Sequence, residues 1–148
     1  MTQSNQTSDE AAIRACIEQR IVAVRAKDVD ALMASYAPDV VTFDMVRPLM
    51  NAGAGAVRKR VEEWFGSFAS AIDYQIRDLH LSVSGDVAFG HNFTGVRGTN
   101  TGGNKVDMWF RETVGFRKIA GRWTVTHQHS SVPFDMTSGK ALLDLNPD

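Results

Sequence analysis

The chain has one cysteine, Cys16, in 148 residues. A single thiol excludes an internal disulfide framework and any cysteine-rich metal site. A surplus of charge is missing too: 16 Lys and Arg stand against 17 Asp and Glu, a formal net charge of -1. Such a chain has little to draw it to nucleic acid or an anionic membrane, and neither is expected as a partner. No apolar run reaches the roughly 18 residues that a membrane span needs. Residues 1–10 are polar and lack the apolar stretch of a signal peptide, so a reducing, cytoplasmic setting is the expectation. Repeats, low-complexity tracts, a G-x-S-x-G elbow, a P-loop and a strand-borne G-x-G-x-x-G are all absent. Gly53-Ala54-Gly55 precedes a helix outside any βαβ unit and is poor evidence for phosphate binding.

What is present, 43% hydrophobic and 22% charged residues, suits one globular domain with its own core. Residues 1–7 are expected to be flexible, 8–135 to form the domain and 136–148 to be a surface-docked tail. Thr7-Ser8-Asp9-Glu10 reads as a capping box that opens a helix running to about Lys27. Ile13, Cys16, Ile17 and Val24 share one face of it. Arg20 falls in the middle of that face, where it needs an anion, a cavity or a route to water. Asp28 caps a short second helix with Val29, Leu32, Met33 and Tyr36 at helical spacing, ended by Ala37-Pro38-Asp39. Val40 to Phe43 is a strand that closes on Asp44. After a Gly- and Ala-rich segment, a third helix carries Val57, Val61, Trp64, Phe65 and Phe68 on one side. Arg58, Lys59, Glu62 and Glu63 fill its solvated face.

From Asp73 the period changes to 2, with strands over roughly 73–83, 87–97, 105–118 and 122–132. Ser84-Gly85-Asp86 and Ala120-Gly121 mark tight hairpins, and a Gly- and Asn-rich loop joins the middle pair. Helices first and hairpins afterwards predict an α+β fold with one curved antiparallel sheet. Bulky groups on both sheet faces predict that helices cover one and a second copy the other. Alternation sorts the strands into rows. Met108, Phe110, Val114 and Phe116 form an apolar row interrupted only by Glu112, a carboxyl that desolvation would push toward neutrality. Val87, Phe89 and Phe93 form another, interrupted by His91. His127 and His129 alternate with Trp123 and Val125. An H-x-H pair can bind a metal with a third ligand, for which Asp107 is the obvious choice, but packing is the preferred reading and no metal or cofactor is expected.

The segments from Val24 to Leu32 and from Tyr36 to Asp44, with Phe116 to Trp123 followed by Val125, His127 and His129, resemble the nuclear transport factor 2-like superfamily, and within it the SnoaL-like and ketosteroid isomerase homologues. The closing strands are also similar to those of the calcium/calmodulin-dependent kinase II association domain. The resemblance implies a cone-shaped barrel of curved antiparallel sheet packed on three N-terminal helices, with a pocket between helices and sheet and dimers formed through the sheet. It implies Asp44 as general base and Glu112 as a protonated oxyanion donor. It turns Thr126, Gln128 and Ser130 toward the pocket, and His127 and His129 toward the interface. Where ketosteroid isomerases carry a second oxyanion donor, a tyrosine, Arg20 stands nearby. An arginine there would pair with Glu112 and hold it ionised, which speaks against steroid isomerisation.

Two functions remain open. One is proton transfer next to a carbonyl, as in an isomerase, cyclase or lyase, drawing on Asp44, Glu112, Arg20 and His91. Tyr36, Trp64, Phe68, Phe89, Phe110, Phe116 and Gln128 would contact a small apolar or carbonyl-containing ligand. The other is a non-catalytic ligand-binding or oligomerisation domain.

Overall fold

A computed structural model describes residues 3–148. Helix α1 (Gln3–Ala26) begins ahead of the capping box, so Thr7 lies inside it and its hydroxyl bonds back to the Gln3 carbonyl at 3.0 Å. Asp9 serves the tertiary fold instead of the helix end. Its Oδ1 accepts the Trp123 indole N–H at 3.1 Å and the Lys118 ammonium at 3.0 Å, bolting α1 to the last hairpin. These two donors hold its carboxyl below the usual range, Lys118 first. Asp9→Ala leaves the buried indole N–H without an acceptor and should lower the melting temperature by several degrees. Asp9→Asn keeps an acceptor and should lose less; thermal unfolding followed by circular dichroism checks the order.

Asp28 caps α2 (Val29–Met33) by accepting the Ala31 amide at 3.0 Å. The helix ends before Tyr36, which opens strand β1 (Tyr36–Phe43) and is not a helical residue as its spacing had suggested. The ladder of β1 shifts register between Tyr36 and Val41, across Pro38, which has no N–H to contribute. Two residues form β2 (Asn51–Ala52), too short for any periodicity to reveal. Gly53, at φ 88°, turns the chain into α3 (Ala54–Gly66). Strands β3 (Asp73–Ser84), β4 (Val87–Thr99), β5 (Lys105–Ile119) and β6 (Arg122–Ser131) follow as hairpins, close to the spans that alternation predicts.

The six strands lie in the order β2-β1-β6-β5-β4-β3, antiparallel except for β1 against β6. The sheet is curved and unclosed, and the helices pack on its inner side around Ile13, Leu32, Val40, Ile72, Phe116 and Val125. Two local features decide which rows face inward. In β6 an extra residue, Thr126, separates the pairs Phe116–Val125 and Gly115–His127. This bulge lets Trp123 and Val125 point inward on one side of it and Gln128 and Ser130 on the other, so the histidines do not share the Trp123 face as plain alternation requires. In β4 the inner row is Ala88, Gly90, Asn92 and Thr94. The aromatic row Val87, Phe89, His91 and Phe93 is exposed, the reverse of what its bulk suggested. At Gly90 the inner row is crowded: a Cβ there would stand 2.8 Å from the tip of the Leu81 side chain and 3.3 Å from the His80 carbonyl oxygen. No helix among the described residues is long and apolar enough to cross a membrane.

Candidate active site

Between the helices and the concave side of the sheet lies a cavity of about 400 Å3, toward the small end of the range usual for small-molecule sites. Val57, Val61, Trp64, Phe68, Phe110 and Met108 give it apolar walls. Phe68 reaches it from just beyond α3, held by a bridge to Asn100. Met45 and Val46, half exposed, line it from the loop after β1.

Polar groups meet the cavity in two clusters. In the first, Glu112 on β5 is 5% exposed. Its Oε2 accepts the Gln128 amide at 2.8 Å and the Ser130 hydroxyl at 3.1 Å. Burial pushes its pKa up, aided by the charge of Asp44 and opposed by those two hydrogen bonds and by Arg20. Arg20 reaches in from α1 and donates to Ser35 at 2.6 Å, to the Tyr36 hydroxyl at 3.2 Å and to Gln128 Oε1 at 3.3 Å. Its guanidinium carbon lies 4.6 Å from the centre of the Tyr36 ring. Burial works against its charge, yet Tyr36, Tyr74 and Glu112 hold its pKa above the ordinary arginine value. The expected Arg20–Glu112 ion pair is not formed among the described residues: the Gln128 side chain stands between the two.

In the second cluster, Asp44 follows directly on β1. Asn51 of β2 donates to its Oδ2 at 3.1 Å, and Arg60 Nε of α3 lies 3.6 Å from the same oxygen. Both contacts use Oδ2, and Asp44 is one of the residues that line the cavity. Burial raises the Asp44 pKa, while Arg60 pulls it down. Arg60 Nε is itself buried without a hydrogen-bond acceptor, because 3.6 Å is too long for one.

Of the residues that the sequence singled out, Asp44, Glu112, Arg20, Tyr36, Trp64, Phe68, Phe110 and Gln128 line this one cavity. Three do not. His91 lies on the outer face of the sheet, stacked on His80 with ring centres 5.1 Å apart. Phe89 is 52% exposed on the same face. Phe116 is core, reaching only a void of about 20 Å3 behind Glu112. His127 and His129 also sit outside, edge-on to Phe43, and His127 Nδ1 lies 2.7 Å from the Val41 carbonyl oxygen. No group of three or more His, Cys, Asp or Glu among the described residues could hold a metal.

A family model for the SnoaL-like domain matches residues 13–135. The chain belongs to this family. The SnoaL-like fold matches an NTF2-like protein of unknown function from Pseudomonas putida KT2440 at 34% identity and a TM-score of 0.87, over 95% of this chain and 98% of that one. It matches a ketosteroid isomerase-like protein from Erwinia carotovora atroseptica at 25% identity and a TM-score of 0.71, over 82% and 93% of the two chains. An NTF2-like protein with a cystatin-like fold from Novosphingobium aromaticivorans aligns at 15% identity and a TM-score of 0.77, over 93% and 90%, a likeness of fold alone. Among curated proteins none matches.

Among the polar residues that sequence reasoning did not single out are Arg60 and Tyr74, which line the cavity, and Asn51, which holds Asp44. Arg60 lies four residues before Trp64 and three after Val57, and that spacing places it on the apolar side of α3. Tyr74, buried and with its phenol pKa raised by that burial, opens the inner row of β3. Asn51 had no signal, because the two-residue β2 that positions it has none.

Proposed function

We propose that this SnoaL-like protein is an enzyme of proton transfer at carbon next to a carbonyl, an isomerase, cyclase or lyase acting on a small, largely apolar carbonyl compound. One observation carries the reading: two carboxyls, both pushed up by burial, face a single apolar-walled cavity, and Glu112 has no ion pair to keep it charged. Asp44 takes a proton from the α-carbon. The electrons of the C–H bond form the carbon–carbon double bond of an enolate, and the neutral Glu112 donates to the oxygen on which charge grows. Where the substrate carries a β,γ double bond the enolate is a dienolate, and Asp44 returns the proton to its γ-carbon while the double bond moves into conjugation with the carbonyl. A ketosteroid isomerase-like protein is among the solved structures that this chain resembles, which supports this chemistry. A dimer through the outer face of the sheet, where Phe43, Phe89 and Phe93 are exposed, and a cytoplasmic setting complete the proposal.

The Asp44–Arg60 contact favours a second reading, a non-catalytic binding domain, because a paired carboxylate is a weaker base. Ketones sized to the cavity, incubated with the protein in D2O and followed by proton NMR, decide between the two. Protein-dependent loss of the α-proton signal is the expected result. Compounds that bind but never exchange would establish the binding domain instead.

A further inference from the structure

The side chain of Gln128 is fixed end for end. Arg20 donates to its Oε1 at 3.3 Å and the Tyr36 hydroxyl donates to the same atom at 2.8 Å. A guanidinium has only donors, so the amide oxygen must face Arg20 and the amide nitrogen must face Glu112. That nitrogen donates to Oε2 at 2.8 Å, and Ser130 donates to Oε2 as well. With two donors already on Oε2, a proton carried by Glu112 belongs on Oε1, away from both. One amide group thus keeps a permanent cation from touching the carboxyl and selects the oxygen that bears its proton.

We propose that Gln128 is a positioning residue, a spacer that holds Arg20 and Glu112 apart so that Glu112 stays a neutral donor toward the cavity. The proposal deepens the reading of Glu112 as an oxyanion donor, but the protonation of that carboxyl can be measured without any substrate. The groups facing Glu112 come from every element around it: Arg20 of α1, Tyr36 of β1, Asp44 after β1, Tyr74 of β3, Asn92 of β4 and Ser130 of β6. Two arginines line the cavity; Arg60 of α3 lies against Asp44, and Arg20 is the cation whose charge bears on Glu112, so a change in the distance of Arg20 dominates any other adjustment.

The spacer role makes a counterintuitive prediction. The Gln128 hydrogen bond favours the charged form of Glu112, so if that bond were its whole contribution, deleting it would raise the carboxyl pKa. If Gln128 is a spacer, deleting it lets Arg20 close on Glu112, and the pKa falls by about one pH unit or more, the usual effect of a direct cationic neighbour. The experiment is a pH titration of carboxyl carbon shifts in protein labelled with 13C-glutamate, with Glu112 assigned by the signal lost in Glu112→Gln. Gln128→Ala opens the gap and should lower the midpoint. Gln128→Met fills the gap and donates nothing, and should raise it. Gln128→Ser opens a similar gap and replaces the alanine variant should that one not fold. Opposite shifts establish the spacer. Shifts in the same direction, or a rise in the gap-opening variant, overturn it. If the shifts are opposite while no ketone exchanges its α-proton, the spacer stands and the catalytic reading fails.

Discussion

Asp44→Asn should lower kcat by about 10²- to 10⁴-fold, the usual contribution of a positioned base. The substitution keeps the shape of the side chain, and Asn51 Nδ2 can still donate to an amide oxygen where it now donates to Oδ2. Folding should therefore survive and ligand affinity change little, so the loss falls on kcat and not on KM. The same carboxyl should set the acid side of the pH profile. A base must be deprotonated, and burial has raised the Asp44 pKa, so activity should fall with acid at a pH above the ordinary aspartate range. Arg60 is the group that restrains this rise. Arg60→Met should move the acid limb to still higher pH while leaving a measurable maximum. An Asp44→Asn enzyme with the wild-type rate at its optimum would remove Asp44 from the chemistry.

Arg60 also marks the boundary of what the amino-acid order reveals. The α+β class, the hairpins and the inward row Met108 to Phe116 follow from periodicity, because each rests on many residues that repeat one geometric preference. Glu112 was legible for the same reason, as a single carboxyl in a row that was otherwise apolar. Which of two rows faces the core was not legible in β4. The inner row there meets the neighbouring strand closely at Gly90, beside Leu81 and His80, and no pattern within β4 records that approach. In β6 one extra residue, Thr126, reverses the faces, and a bulge leaves little trace in local composition. The hydrogen-bond logic of the site was less legible still. That Gln128 stands between Arg20 and Glu112 depends on α1, β5 and β6 meeting at one point, across separations in sequence of 108 and 16 residues. Opposite charges placed near each other by a fold are naturally read as a pair, and only the amide between them shows why these two are not.

Glu112 gives the second large effect, in which charge and hydrogen-bond donation can be separated. Glu112→Leu removes the donor and should cost about 10²- to 10³-fold in kcat, as loss of an oxyanion-hole group does. Glu112→Gln should cost much less. Its amide oxygen can accept from Gln128 and Ser130 as Oε2 does now, which turns the amide NH2 toward the cavity as a donor that never titrates. In the native protein, activity should fall as pH rises through the Glu112 pKa, which burial sets above the ordinary glutamate range, and in Glu112→Gln that limb should vanish. Stability offers an independent check of sign. A carboxyl whose pKa is raised by folding favours the native state below its unfolded pKa, and that advantage is lost as pH rises through the folded value. Native protein should therefore lose stability across that window, and Glu112→Gln should lose less of it. Urea midpoints measured from mildly acidic to mildly alkaline pH would show the two curves parting as the solution becomes more alkaline. Curves that stay parallel throughout would mean that Glu112 ionises as readily in the folded chain as in the unfolded one, and a carboxyl of that kind could not serve as the donor.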